Sequence, residues 1–262
     1  MRRIKRFPEF EVALTIHQDS FIRPPKDAQR NWVVNRAIGE LVDDLQHLNE
    51  TAARFIPGGE SLAIDDRTQK ILPPDEIMED WQIPVMKAMA EAAAAQHGDV
   101  LEIGFGRGIS STFLQDFGVR SHTIVECNDA IVDDFHKWKQ KYGDETIQLL
   151  HGKWQDVLNG QTQYDAVFFH AYPLDAKEHV EYVVQSPTFA AHFFPIAAQQ
   201  LRDGGVFTYL TNESDSLSRG HQRLLLQHFR EFSLSIVGPL DIPDDSRDSM
   251  WADSMVVVSA KK

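Results

Sequence analysis

The chain has 262 residues, 42% hydrophobic and 10% aromatic, which suffices for one large domain or one domain with an appendage. Its formal net charge of −13 sets the chain as a whole against nucleic acid and anionic membranes, and the short run Arg2-Arg3-Ile4-Lys5-Arg6 reads as a solvated tail. One cysteine, Cys127, excludes an internal disulfide and a cysteine-built metal site, and there is neither an apolar signal core nor a run of about 18 apolar residues. These features predict a cytoplasmic protein with no metal, no nucleic-acid partner and no membrane association.

Residues 1–25 carry scattered hydrophobes and suit a short strand or an ordered arm. From Asp27 to Phe55, Trp32, Val33, Ala37, Leu41, Leu45 and Leu48 recur at spacings of three and four, which predicts an amphipathic helix. Pro57-Gly58-Gly59 ends it. Pro73-Pro74 then opens a second helix, with Asp75 and Glu76 in its first turn and Ile77, Met78, Trp81, Val85, Met86 and Met89 along it, continuing to His97. Beyond this point the period changes. Apolar runs near 99–104, 121–126, 147–151, 165–170, 205–211, 232–238 and 254–260 read as strands. Helical stretches near 109–117, 129–142, 188–202 and 218–230 alternate with most of them. Such alternation predicts an α/β fold, a Rossmann-like doubly wound seven-stranded sheet closed by a hairpin at its edge. Residues 1–72 are expected to form an N-terminal extension and helical lid, and 73–262 the main domain. The amphipathic N-terminal helix could equally pair two subunits into a homodimer.

The stretch from Val100 to Ser111 organises this domain. A buried-strand sequence runs into Gly104, Gly106 and Gly108, which allow a sharp turn and a close ligand approach, and a helix follows. Ile109 stands where a dinucleotide fingerprint would have its third glycine. Glu102 precedes the loop, and Glu126 ends the next apolar run. The pattern E-x-G-x-G-x-G followed by an acid about twenty residues on resembles the S-adenosylmethionine site of class I methyltransferases. The resemblance implies that Glu126 accepts hydrogen bonds from the ribose hydroxyls, and that Gly104 and Gly106 line the methionine portion. Glu102 would fix the loop, or hold the methionine ammonium through water. Trp154 would wall the adenine, with Gln155 or Asp156 on its exocyclic amine. Met78, Trp81, Cys127 and His170 complete the expected cofactor contacts. Asn128 and Asp129 read as the cap of the next helix.

Several phrases resemble more closely the guanidinoacetate N-methyltransferases and related arginine methyltransferases. They are Ile77-Met78-Glu79-Asp80-Trp81-Gln82-Ile83-Pro84, Val125-Glu126-Cys127-Asn128-Asp129, Gly152-Lys153-Trp154-Gln155-Asp156-Val157, Ala171-Tyr172-Pro173-Leu174 and Gly204-Gly205-Val206-Phe207-Thr208-Tyr209. In the guanidinoacetate enzymes two carboxylates grip the guanidinium, and the corresponding positions here are Gln82 and His170. A guanidinium keeps its charge below a pKa of about 12, so burying one without acids is costly. Glu79, Asp175, Glu178 and Glu213 are the candidate substitutes.

Gln82, His170 and Tyr172 are therefore the expected catalytic residues, suited to a neutral amine, amide or heteroaromatic nitrogen with His170 as hydrogen-bond acceptor or base. The first expectation is a small-molecule N-methyltransferase whose acceptor is not a plain guanidinium. An alternative keeps the cofactor and changes the reaction, cyclising it to azetidine-2-carboxylate and methylthioadenosine under a closed lid. A non-catalytic binding module is disfavoured by the intact glycine loop and Glu126.

Overall fold

The computed structural model describes residues 67–262 apart from 143–144, 212, 214, 244–245 and 247–252. The helix expected over 27–55 and nearly all of the expected lid lie outside the described residues. Seven strands form one sheet: β1 (Asp99–Ile103), β2 (Ser121–Glu126), β3 (Ile147–His151), β4 (Tyr164–Phe169), β5 (Leu201–Thr211), β6 (Glu231–Val237) and β7 (Met255–Lys261). Their order is β3-β2-β1-β4-β5-β7-β6. The first five run parallel, and β7 is antiparallel to both β5 and β6. This is the expected Rossmann-like doubly wound sheet. The closing hairpin does not simply extend the edge, because β7 inserts inside β6. Its run Met255-Val256-Val257-Val258 is buried on both faces, whereas β6 alternates serine with apolar residues and remains largely exposed.

Helices α1 (Pro74–Ile77), α2 (Ile83–Ala94), α3 (Ile109–Asp116), α4 (Asp129–Lys139), α5 (Trp154–Val157), α6 (Ala176–His179), α7 (Phe194–Gln200) and α8 (Arg219–His228) connect and cover the strands. Strand alternation divides the core. Leu101, Ile103, Val167, Phe169, Val256 and Val258 face Phe193, Phe194, Ala197, Leu225 and Phe229. Val100, Ala166, Phe168, Met255 and Val257 face Val85, Met86, Met89, Ala90 and Ala93 of α2. No helix among the described residues is long and apolar enough to cross a membrane.

The helix expected from Pro74 to His97 is instead three pieces: α1, a 3-10 turn at Asp80–Gln82, and α2. Met78 is extended, with φ −166° and ψ 134°. Pro84 lies in the first turn of α2, where its missing N–H costs nothing, so the chain restarts a helix there instead of continuing one. The 188–202 helix likewise begins as a 3-10 turn, Phe189–Phe193. It yields early to β5, which starts at Leu201 and shifts register against β4 between Tyr164 and Ala166.

At the amino ends of the parallel strands, Asp99 takes a two-pronged bond from Arg120 at 2.8 and 2.6 Å, one from Ser121 at 2.8 Å and one from Arg202 at 2.8 Å. Asp165 accepts from the Asp99 N–H at 2.7 Å and contacts Arg120 and Arg202 at 2.9 and 2.7 Å. The Arg120 bond chiefly holds the Asp99 carboxyl well below its ordinary range, against its partial burial. Burial opposes the shift at Asp165 too, but the bond from Arg202 and the cluster's charges outweigh it. Both folded values lie below the unfolded value of about 3.9. Their contribution is thus fully present above pH ~4 and is lost as pH falls below it toward the folded values. Asp99→Asn is expected to cost about 2 kcal/mol at neutral pH and to flatten the loss of stability below pH ~4. Urea unfolding at a series of pH values measures both effects.

Candidate functional site

The carboxyl ends of β1, β2, β3 and β4 open into one cavity of about 1080 Å³, its mouth included. Its floor is the glycine loop, which follows directly from strand pairing. His170 donates its backbone N–H to the Ile103 carbonyl at 3.1 Å, and Gly104 donates to Val125 at 2.9 Å, so the chain leaves β1 squeezed between its two neighbours. Gly104 has φ +91°, and a Cβ there would lie 2.4 Å from the His170 carbonyl oxygen. Only glycine fits both the dihedral and the space. Phe105 then turns inward, edge-on to Phe135 and Trp138 at 5.4 Å each, and anchors the loop on α4.

Glu126, at the end of β2, ties the loop to the next strand. Its Oε2 accepts from the Phe105 and Gly106 N–H groups at 3.0 and 3.4 Å, and its Oε1 from those of Cys127 and Asn128 at 2.8 and 2.9 Å. Asn128 caps α4 as expected, accepting from Ala130 and Ile131. Its amide also donates to the carbonyls of Arg67 and Lys70 at 2.7 and 2.6 Å, a long-range contact that no local pattern signals. That pair of bonds holds the turn at Arg67–Gln69 beside the cavity, where Arg67 and Leu72 join the lining. Arg107 of the loop reaches the other way, to the Met78 carbonyl at 2.9 Å and Asp80 at 2.7 Å.

Of the residues named from the sequence, Met78, Gly104, Gly106, Glu126, Cys127, Trp154, Gln155, His170 and Tyr172 all line this cavity. Trp81, Gln82, Glu102 and Asp156 do not. Trp81 is buried with Met78, Val85 and Met86, and its indole N–H donates to Glu79 at 2.7 Å. Gln82 is buried at the end of the 3-10 turn that precedes α2. Glu102 points to the other side of β1, because alternate residues of a strand face opposite ways. Its fully buried carboxylate accepts from Ser110 and Ser111 at the start of α3 and meets His122 Nε2 at 2.8 Å. It braces the helix that follows the loop, which leaves the loop-fixing half of its expected role and removes it from the cavity.

The connection after β4 builds a further wall of the cavity. His170 and Tyr172 stand edge to face with ring centroids 5.4 Å apart. Burial pushes the His170 imidazole down to about 4, so at neutral pH the ring is uncharged. It can accept a hydrogen bond there, but it is a poor store for a proton. Among the four candidate acids, Glu178 alone lines the cavity. Glu79 is taken by Trp81 and Ser246, and Asp175 accepts the Glu178 N–H at 2.8 Å. Glu213 is held by His221 Nδ1 at 2.6 Å and by the Ser218 N–H, and His221 in turn meets the buried Tyr209 hydroxyl at 2.7 Å. Phe189 and His192, which the sequence did not single out, complete the wall. No local motif marks them. They reach the cavity only because the chain folds back between β4 and α7.

A family model described as guanidinoacetate N-methyltransferase matches residues 60–235, more than half of the chain. Protein arginine N-methyltransferase 2 of Candida glabrata is 34% identical over 114 residues, covering 41% of this chain and 27% of that protein. The enzyme of the same name from Yarrowia lipolytica is 29% identical over 216 residues, 72% of this chain and 43% of that protein. The matches therefore take in less than half of these relatives' own length. In shape, the chain is similar to the N-methyltransferase NodS of Bradyrhizobium japonicum WM9, solved with S-adenosyl-L-homocysteine. The TM-score is 0.50 with 8% identity, over 76% of this chain and 96% of that one. The glycine loop, the acid ending β2 and the family match over residues 60–235 converge: the chain belongs to the guanidinoacetate N-methyltransferase family, a branch of the S-adenosylmethionine-dependent class I methyltransferases.

Proposed function

We propose that this chain methylates a nitrogen of a small-molecule acceptor that is not a plain guanidinium. One observation carries the reading: the glycine cradle with Glu126 and the His170, Tyr172 and Glu178 wall line the same cavity. The residues present fit S-adenosylmethionine. A Cβ at Gly104 would strike the His170 carbonyl oxygen and shift the cradle, and Glu126 offers an acid to paired hydroxyls. Trp154 supplies an aromatic wall after β3. In this reading Gly104 and Gly106 flank the methionine portion, Glu126 takes the ribose, and Trp154 with Gln155 takes the adenine. When bound, the cofactor supplies an electrophilic methyl group. The chain's own work is to hold the acceptor nitrogen in line with that group and to keep water out.

The acceptor class follows from charge. The family resemblance implies two carboxylates around a guanidino group, whereas the acceptor side here presents Glu178 and two neutral rings. A single acid suits an amine better than a buried guanidinium. Gln82, buried away from the cavity, has no part in this reading. The relatives are named for methyl transfer, and no observation favours cyclisation.

The test is mass spectrometry of S-adenosylmethionine incubated with the protein alone and with panels of amines and guanidines. Adenosylhomocysteine that forms only with an added acceptor, with amines ahead of guanidinoacetate and arginine, is the expected result. Methylthioadenosine formed without any acceptor would sink methyl transfer, and preferential turnover of guanidines would sink the acceptor class.

A further inference from the structure

His192 lines the cavity from the turn Phe189–Phe193, and four rings surround it. Tyr182 stacks on it at 4.2 Å and 13°, while Phe189, Phe169 and Trp154 stand at 4.7, 5.8 and 5.9 Å. The ring's rotation is set by one hydrogen bond, Nδ1 to the Phe189 carbonyl at 2.5 Å. A carbonyl oxygen can only accept, so Nδ1 must carry the hydrogen. The neutral ring then keeps its lone pair on Nε2, at the opposite edge. Burial lowers the ring's affinity for a second proton, although the Phe189 bond and the nearby Glu181 carboxylate work the other way.

A histidine so arranged is a neutral hydrogen-bond acceptor of fixed orientation. It shares the cavity wall with Glu178, whose Oε2 takes the Leu174 N–H at 2.9 Å, and a carboxylate has about four lone-pair directions in all. Both residues come from the connection between β4 and β5 that also supplies His170 and Tyr172.

We propose that His192 Nε2 and the Glu178 carboxylate are paired specificity determinants that accept two N–H groups of the methyl acceptor, selecting a nitrogen with at least two hydrogens over one fully substituted. This rests on the N-methyltransferase reading above and deepens it: that reading placed Glu178 on the wall, and His192 joins it as a second acceptor. The two acceptors supply the discrimination.

The experiment uses the full chain labelled with 15N-histidine and 15N-glycine and saturated with S-adenosylhomocysteine. Signals of His192 are assigned by their loss in His192→Phe, which keeps an aromatic ring in the stack. We expect a neutral His192 protonated on Nδ1. Addition of n-propylamine should shift its Nε2 resonance, and tetramethylammonium, which has no N–H, should not. His192→Phe and Glu178→Gln should each weaken n-propylamine at least about 5-fold, read at the Gly106 amide, and leave adenosylhomocysteine affinity within about 3-fold. A proton found on Nε2, or an Nε2 indifferent to the amine, overturns the proposal. A shift caused by adenosylhomocysteine alone would put the ring against the nucleoside and overturn it equally. Absence of adenosylhomocysteine binding by the unaltered chain would instead bring down the methyltransferase reading, and the proposal with it.

Discussion

Glu126→Ala is expected to lower affinity for S-adenosylhomocysteine at least about 100-fold and to destabilise the fold. In the structure this carboxylate already serves four backbone N–H groups, from Phe105, Gly106, Cys127 and Asn128. A carboxylate has about four lone-pair directions, so ribose hydroxyls must share or displace one of these donors. The Gly106 bond, longest at 3.4 Å, is the natural one to yield. Binding and loop geometry are therefore coupled through one side chain. Two charge-assisted bonds to a ligand are worth about 3 kcal/mol together, which is roughly the 100-fold stated. Glu126→Gln separates the roles. It keeps the shape and some acceptor capacity but loses the charge, so stability should recover more than affinity. Calorimetric titration with adenosylhomocysteine and urea unfolding of both variants would measure this. An alanine variant that binds within about 3-fold of the parent would confine Glu126 to bracing the loop.

Gly104→Ala should destabilise the fold and abolish cofactor binding together. The residue is held at φ +91°, and the new carbon would stand 2.4 Å from the His170 carbonyl oxygen, a backbone atom of the neighbouring strand's end. Relief requires prising β1 from β4 where the ladder closes, at the Ile103 to His170 bond. Strain and overlap together should cost at least about 3 kcal/mol, and cofactor binding should fail as the cradle shifts. Gly204→Ala is the control. Its φ is +79°, yet nothing lies within 4 Å of the added carbon, so only the left-handed conformation is penalised, by about 1 kcal/mol. Adenosylhomocysteine affinity should be unchanged there. Equal losses in the two variants would show that dihedral strain, and not the close approach to His170, governs the loop.

Much of this site was legible in one dimension because its parts are local. A strand running into alternate glycines, an acid at the end of the next strand, and Asn128 ahead of α4 each follow from a few consecutive residues and the period of the chain. These local signals specify the sheet, the loop and the place of Glu126 at the end of β2. Strand order at the sheet's edge was not legible in the same way. Whether β7 lies at the edge or inside β6 depends on which strand has both faces covered, and the continuous valine run signals this only once its neighbours are known. Glu102 shows the limit sharply. Adjacency to the loop suggested the cofactor, but strand alternation turns it through the sheet to Ser110, Ser111 and His122. Trp81 and Gln82 were drawn in by a phrase shared with a family, and packing under α2 buries them elsewhere. Phe189, His192 and Glu178 reach the wall from a connection whose path no periodicity encodes. Sequence determined the elements and the glycine cradle, because hydrogen bonding and backbone sterics act over a few residues. Tertiary structure alone decided that Glu178 and His192 line the cavity, because that depends on where distant segments cross.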